Sequence, residues 1–225
     1  MYLSKDWNFI ISVDDILRGQ GMEQQIVRSS KQALLKAAER ACIEGIGFIQ
    51  PMALTAEIVV REHRHERILM VGGAALTGTQ VTRQLGGAQR VVAAVCTIGP
   101  VLEEASARLF GQDPLYALAM DGLGNAAVEN LAQQVCRHIE EQVKGKGLQA
   151  SSPISPGSPE WPVEVGQPQI FALLNPSEAG IMLTSGGMMI PKKTVSFVVG
   201  LGSEMVQTSM CSVCNLKETC RYRNA

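Results

Sequence analysis

The chain has 225 residues, 46% hydrophobic and 4% aromatic, and its 20 Lys and Arg against 21 Asp and Glu leave a net charge of −1. A near-neutral chain with no basic block lacks the electrostatic footprint of a nucleic-acid or anionic-lipid binder. No apolar run reaches the length of a membrane span, and the N-terminal MYLSKDWNF has no basic region leading into an apolar core, so the chain reads as a cytoplasmic protein with neither nucleic acid nor membrane as partner.

The first element is a short capped helix in SVDDILRGQG, ending at Gly19 or Gly21. From Glu23 to Ile43, Ile26, Ala33, Leu34, Ala37, Ala38 and Ala41 recur at three- and four-residue steps, which predicts a long amphipathic helix. LTAEIVV and RILMVGG read as strands about a polar hairpin tip, REHRHE, which makes His63 and His65 exposed turn residues rather than ligands. A helix from about Thr77 to Leu85 stops at Gly86–Gly87, and a buried strand runs from Arg90 to Thr97. The glycine pairs Gly72–Gly73 and Gly86–Gly87 fit no phosphate-loop spacing and read as turns.

Helices are expected over 99–111 and 113–144. The second opens on the Asp113–Pro114 start signal and carries Gly122, Gly124, Ala126 and Ala127 in its middle, where another backbone or a ligand could come close. AGIMLTS and TVSFVVGLG read as strands separated by GGMMIPKK. Helices and strands mix without a regular βαβ beat, so the expected fold is α+β: one domain over 1–205 with a mainly antiparallel sheet, followed by a cysteine-rich tail over 206–225.

Residues 151–168, SSPISPGSPEWPVEVGQP, hold five prolines and the single indole of this region, Trp161. Proline and serine without periodicity suit a linker, but an indole suits a loop folded against a surface. The six cysteines fall into two groups. Cys42, Cys96 and Cys136 sit in apolar or helical segments and read as small hydrophobes. Cys211, Cys214 and Cys220 form C-x2-C-x5-C at the end of the chain, three thiolates within reach of one zinc ion or iron–sulfur cluster, with Lys217, Arg221 and Arg223 offsetting their charge. A fourth ligand would come from Cys42, Cys96, Cys136, a histidine or another chain; plain reduced thiols are the alternative.

The ordered set SPG, Trp161–Pro162, a Gln before an apolar helical turn, an LT strand, the turn MMIPKKTVS and an apolar strand ending in glycine resembles the activation domain of cobalamin-dependent methionine synthase, in a short free-standing form. VDDILRGQG and TIGPVLEEA resemble further parts of it, so the likeness spans most of the chain. It implies a curved domain with a twisted antiparallel sheet and flanking helices. It also implies S-adenosylmethionine as ligand, a corrinoid-binding protein carrying cobalamin as partner, and passage of the sulfonium methyl to cobalt after the cobalt(II) form takes up an electron, supplied by a donor protein.

By that likeness the 151–168 loop cradles the ligand, with Ser155, Pro156, Gly157, Trp161 and Gly180 around it and Glu129 facing it from the long helix. Glu129 otherwise reads as a solvated helix charge, and Trp161 as an anchor for the loop. The family loop carries an arginine and a tyrosine where this chain has Pro153 and Ser158, and an acidic residue where it has Ser185. Two functions follow: reactivation of a corrinoid methyltransferase with S-adenosylmethionine, or a non-catalytic or redox partner of a corrinoid protein that uses the cysteine tail and no longer binds S-adenosylmethionine.

Overall fold

The computed structural model describes residues 2–22 and 31–205. The elements in chain order are β1 (Tyr2–Ser4), α1 (Val13–Gly19), α2 (Gln32–Glu44) running into a 3-10 turn at Gly45–Phe48, β2 (Met52–Arg64), β3 (Arg67–Met70), β4 (Ala75–Thr77), α3 (Thr79–Gln84) and β5 (Arg90–Thr97). Then follow α4 (Val101–Leu109), α5 (Pro114–Lys144), β6 (Gln149–Ala150), α6 (Val163–Leu173), a 3-10 turn at Pro176–Ala179, the two-residue strands β7 (Met182–Leu183) and β8 (Met189–Ile190), and β9 (Thr194–Gly202).

The sheet runs β4-β3-β2-β5-β9-β6, and every strand pairing among the described residues is antiparallel. Its long member, β2, serves two neighbours on one side: Ala53–Thr55 pairs with β1, and Val60–Arg64 pairs with β3 beyond a register shift between Val60 and Glu62. A bulge adds local twist, and beyond it Ile68, Met70 and Leu76 of β3 and β4 pack with Leu54, Val91 and Val95 in one cluster. The fold is α+β, a curled antiparallel sheet with flanking helices, as the sequence predicts.

Strand alternation divides the core. On β9, Val195, Phe197, Val199 and Leu201 face α5, where Leu131, Val135, Ile139 and Val143 meet them. The other face of the sheet offers Leu54, Val91, Ala93, Val95 and Val198 to Ile68, Leu76, Leu85, Trp161 and Ile170. A third cluster, including Ile16, Leu17, Ala38, Leu102, Met120 and Leu123, joins α1, α2 and α4 to the first half of α5.

Local signals explain the helix ends. Ser12 and Asp15 form a reciprocal capping box on α1: the Ser12 Oγ accepts from the Asp15 N–H at 3.2 Å and the Asp15 carboxylate accepts from the Ser12 N–H at 2.9 Å. Asp113 caps α5 by accepting from the Tyr116 N–H at 3.2 Å, with Pro114 in the first turn. α1 crosses α5 glycine on glycine. A Cβ on Gly122 would lie 2.5 Å from the Gln20 side chain and 2.7 Å from the Ile16 carbonyl, and one on Gly19 would run into the Gly122 carbonyl.

Several expected boundaries move. The helix expected over 23–43 is described from Gln32, with 23–30 outside the described residues. The helix expected from about Thr77 starts at Thr79, with Thr77 closing the strand Ala75–Thr77 and Gly78 at φ 138° breaking the chain before α3. β2 continues to Arg64, so the hairpin tip shrinks to His65 and Glu66. The AGIMLTS strand reduces to Met182–Leu183 in a small hairpin with β8. Residues 163–168 belong to α6, which keeps Pro168 inside it, so only the first part of the proline-rich segment is a loop.

The glycine crossing yields a stability test. Gly122→Ala gains up to about 1 kcal/mol in helix propensity, but overpacking costs typically 1–3 kcal/mol, and the neighbours here include backbone. We expect a net loss of stability in chemical denaturation. Gly145→Ala, whose Cβ would meet nothing within 4 Å, should be close to neutral.

Candidate functional site

The proline-rich segment is built from two consecutive turns. In Ser155-Pro156-Gly157-Ser158 the Ser158 N–H donates to the Ser155 carbonyl at 3.1 Å, with Gly157 at φ 94°; in Ser158-Pro159-Glu160-Trp161 the Trp161 N–H donates to the Ser158 carbonyl at 3.0 Å, with Glu160 at φ 59°. Proline at the second position and a positive φ at the third is the pattern of type II turns. The Gly157 N–H closes the pair by donating to the Trp161 carbonyl at 2.8 Å.

Trp161 fixes this loop to the body. Its side chain is fully buried, and its Nε1–H donates to the Gln169 Oε1 at 3.2 Å. That amide also accepts from the Thr77 N–H at 3.0 Å and donates through Nε2 to the Thr77 hydroxyl at 2.5 Å, joining α6, β4 and the indole in one network. Gly166 keeps the indole's flank open, since a Cβ there would sit 2.8 Å from the ring and 2.9 Å from Pro156.

Just before the turns the chain runs beside β9 like a strand. The Ile154 N–H donates to the Val198 carbonyl at 3.0 Å and the Val198 N–H donates to the Ile154 carbonyl at 2.9 Å. Side chains alternate along such a segment. Ile154 is buried with Trp161 on one face, so Pro153 and Ser155 point to the other, toward α5.

There a cleft of about 420 Å³ opens, lined on one wall by Pro153 and Ser155, at its base by Val195 and Phe197, and on the other wall by α5. The α5 residues are Glu129, Ala132, Gln133, Cys136 and Arg137. Their steps of three and four place them on one helix face. Of the residues singled out in sequence, Glu129 and Ser155 share this cleft. Pro156 and Gly157 stand in the adjoining turn, and Trp161 lies behind the wall. Gly180, with φ 68°, ends the 3-10 turn at 176–179, and its N–H donates to the Ser177 carbonyl; it is not among the lining residues. Ser158 faces Trp161 across its own turn.

Sequence reasoning missed Gln133, Cys136 and Arg137 as cleft residues. The helical period could have found them: with Glu129 facing a site, positions 132, 133, 136 and 137 follow. Glu129 and Arg137 are exposed, and neither has an ion-pair partner among the described residues. Burial pushes the Cys136 thiol up to about 12, with Glu140 and Glu129 adding to the effect. Burial likewise raises Cys96, beside it in the sheet.

In the turn before β9, Lys193 is not a free surface charge. Its ammonium lies 2.7 Å from both the Asn125 Oδ1 and the Asp121 carboxylate, which ties the turn before β9 to α5. Lys192 stays largely exposed, with its backbone N–H donating to Glu103 at 2.9 Å. A second cleft of about 440 Å³ opens between β1, β2 and the C-terminal half of α5, with Asp6, Trp7, Glu57, His138 and Gln142 in its lining. None of the residues singled out in sequence lies there. Among the described residues no group of three or more His, Cys, Asp or Glu is arranged to hold a metal ion, and Cys211, Cys214 and Cys220 lie outside them. No described helix is long and apolar enough to cross a membrane.

No protein-family model matches the chain, and no curated protein matches it significantly. The fold is similar to that of a solved structure described as the MetH reactivation domain bound to AdoHcy, with a TM-score of 0.66 over 93% of this chain and 81% of that one, at 12% sequence identity. At that identity the likeness is one of fold.

The raised thiol gives a chemical test of the cleft's wall. Alkylation proceeds through the thiolate, so Cys136, read by peptide mass spectrometry at pH 8, should react at least about tenfold more slowly in the folded protein than in urea, where the thiol returns to about 8.5. Equal rates would show that the fold does not hold it neutral.

Proposed function

We propose that the protein binds S-adenosylmethionine in the cleft between α5 and the Pro153–Ser155 segment and docks on a corrinoid protein to support reductive remethylation of its cobalt. The observation that carries this reading is convergence: Glu129 and Ser155, chosen in sequence for their resemblance to a ligand site and 26 residues apart, line one cleft in a fold like that of a reactivation domain bound to AdoHcy. Cobalamin, held by the partner, would accept the sulfonium methyl once cobalt has taken up an electron, which leaves S-adenosylhomocysteine in the cleft.

This chain's residues would bind and orient. The apolar base, Val195 and Phe197, suits the uncharged body of the ligand, while the helix wall supplies the polar contacts. The neutral Cys136 thiol is compatible with a sulfonium methyl nearby, because a thiolate in its place would compete for that methyl. Around the β7–β8 hairpin, Met182, Met188 and Ile190 are exposed, and adaptable methionine surfaces suit a docking face.

A second reading is favoured by one feature. Pro153, on the cleft wall, offers no hydrogen-bonding side chain where the resemblance implies an arginine. In that reading the protein is a redox or assembly partner of a corrinoid protein, with an electron donor of its own, and the cysteine tail over 206–225 holds an iron–sulfur cluster or zinc.

Calorimetry separates the two. S-Adenosylhomocysteine should bind the wild type at one site, and Ala132→Trp, which raises an indole from the helix wall into the cleft, should weaken binding at least tenfold while leaving the unfolding transition in place. Absence of binding by the wild type would overturn the first reading. The tail is tested separately: anaerobically purified protein should contain near-stoichiometric iron or zinc, and Cys214→Ser should remove it. A folded, metal-free wild type would leave the tail as plain thiols.

A further inference from the structure

The helix wall of the cleft carries its own pattern of charge. Glu129, Gln133 and Arg137 follow one another at four-residue steps, so they form a row inclined by about 26° to the α5 axis. Eight residues separate the carboxylate-bearing position from the guanidinium-bearing one, about 12 Å along a helix. Glu129 is the only anion and Arg137 the only cation among the residues that line the cleft. The facing wall, Pro153 and Ser155, brings no charge at all.

Both charges are unspent. Neither Glu129 nor Arg137 has an ion-pair partner among the described residues, although other exposed charges do, such as Arg40 with Glu44 at 3.0 Å and Arg90 with Glu57 at 2.5 Å. A guanidinium left open at the mouth of a cleft is ready to take a carboxylate in a two-point fork. A carboxylate left open at the other end accepts from hydroxyl or amine donors, as acidic residues do toward ribose. The cleft therefore discriminates along its length, anionic group at one end and hydrogen-bond donors at the other.

We propose that Arg137 is the residue that recognises the α-carboxylate of an S-adenosyl ligand, which lies along α5 with its amino-acid end at Arg137 and its ribose or adenine donors at Glu129. This rests on the reading of the cleft as an S-adenosyl site. An S-adenosyl ligand carries its only carboxylate at the amino-acid end, beside the α-ammonium, and ribose hydroxyls and the adenine amine toward the other end. Gln133, between them, can both donate and accept and spans the middle of the ligand. The apolar base formed by Val195 and Phe197 takes the uncharged part.

The test compares two ligands on three proteins. S-Adenosylhomocysteine has the carboxylate; 5′-methylthioadenosine keeps the nucleoside and lacks the whole amino-acid end. By calorimetry, Arg137→Gln should weaken S-adenosylhomocysteine roughly ten- to hundred-fold, the range for loss of a charge-assisted contact, and leave methylthioadenosine within about twofold. Arg137→Lys, which keeps the charge and loses the fork, should fall between wild type and Arg137→Gln for S-adenosylhomocysteine. The side chain is exposed, so folding should be unaffected, as an unchanged unfolding transition would verify.

If the wild type binds S-adenosylhomocysteine and Arg137→Gln binds it equally well, the assignment of Arg137 is overturned while the cleft reading stands. Equal losses for both ligands also overturn it, because the effect would then not be on the carboxylate. If the wild type binds neither ligand, the cleft reading fails and this assignment fails with it.

Discussion

The architecture depends on how one helix is held. α5 is 31 residues long, and its two halves are buried by different partners: α1, α2 and α4 around the first half, the sheet under the second. Those two attachments fix its axis relative to β9. The glycine crossing at Gly19 and Gly122 sets the distance on one side, and Lys193, bonded to Asn125 and Asp121, ties the turn before β9 to the middle of the helix. Five of the nine residues lining the cleft come from α5, so this packing fixes one of its two walls.

The opposite wall is fixed by a different device. Two proline turns in succession would leave a stiff but unattached loop, since proline restricts φ without supplying contacts. Trp161 supplies them. A buried indole contributes a large apolar area and needs a partner for its N–H, and Gln169 provides one while also bonding both ends of Thr77. The pairing of Ile154 with Val198 then determines which face of the segment looks toward α5. Stiffness from proline, anchorage from the indole and direction from the strand register are three separate contributions, and the cleft needs all of them.

What could be read from the sequence was what local chemistry decides. α1 was legible through its capping box, α5 through Asp113–Pro114, and β5 through an unbroken run of small and branched apolar residues bounded by glycines. β4 was not legible, because three residues following a glycine pair become a strand only through pairing with β3. Glu129 was visible as a candidate by resemblance, but its neighbours Gln133 and Arg137 look like ordinary solvated residues until β9 and Pro153 are placed opposite them. The role of Gln169 was likewise hidden, since its partners are 8 and 92 positions away. Long-range pairing, not composition, creates these sites.

The placement of charge on α5 rather than on the proline loop has a physical consequence for binding. A recognition group on a loop must be ordered along with the loop, and that ordering is charged against affinity. A group on a helix whose other face is packed against a sheet starts from a backbone that is already fixed, and only its own rotamers remain to be restricted. The loop wall of this cleft brings no charged side chain, with Pro153 and Ser155 as its contribution, and the rigid wall carries Glu129, Gln133 and Arg137. The loop amide at Gly157 is consumed by the Trp161 carbonyl, so the backbone there holds the turns together instead of pointing at a ligand. A cleft built this way carries its charged side chains on one rigid wall and its turns on the other.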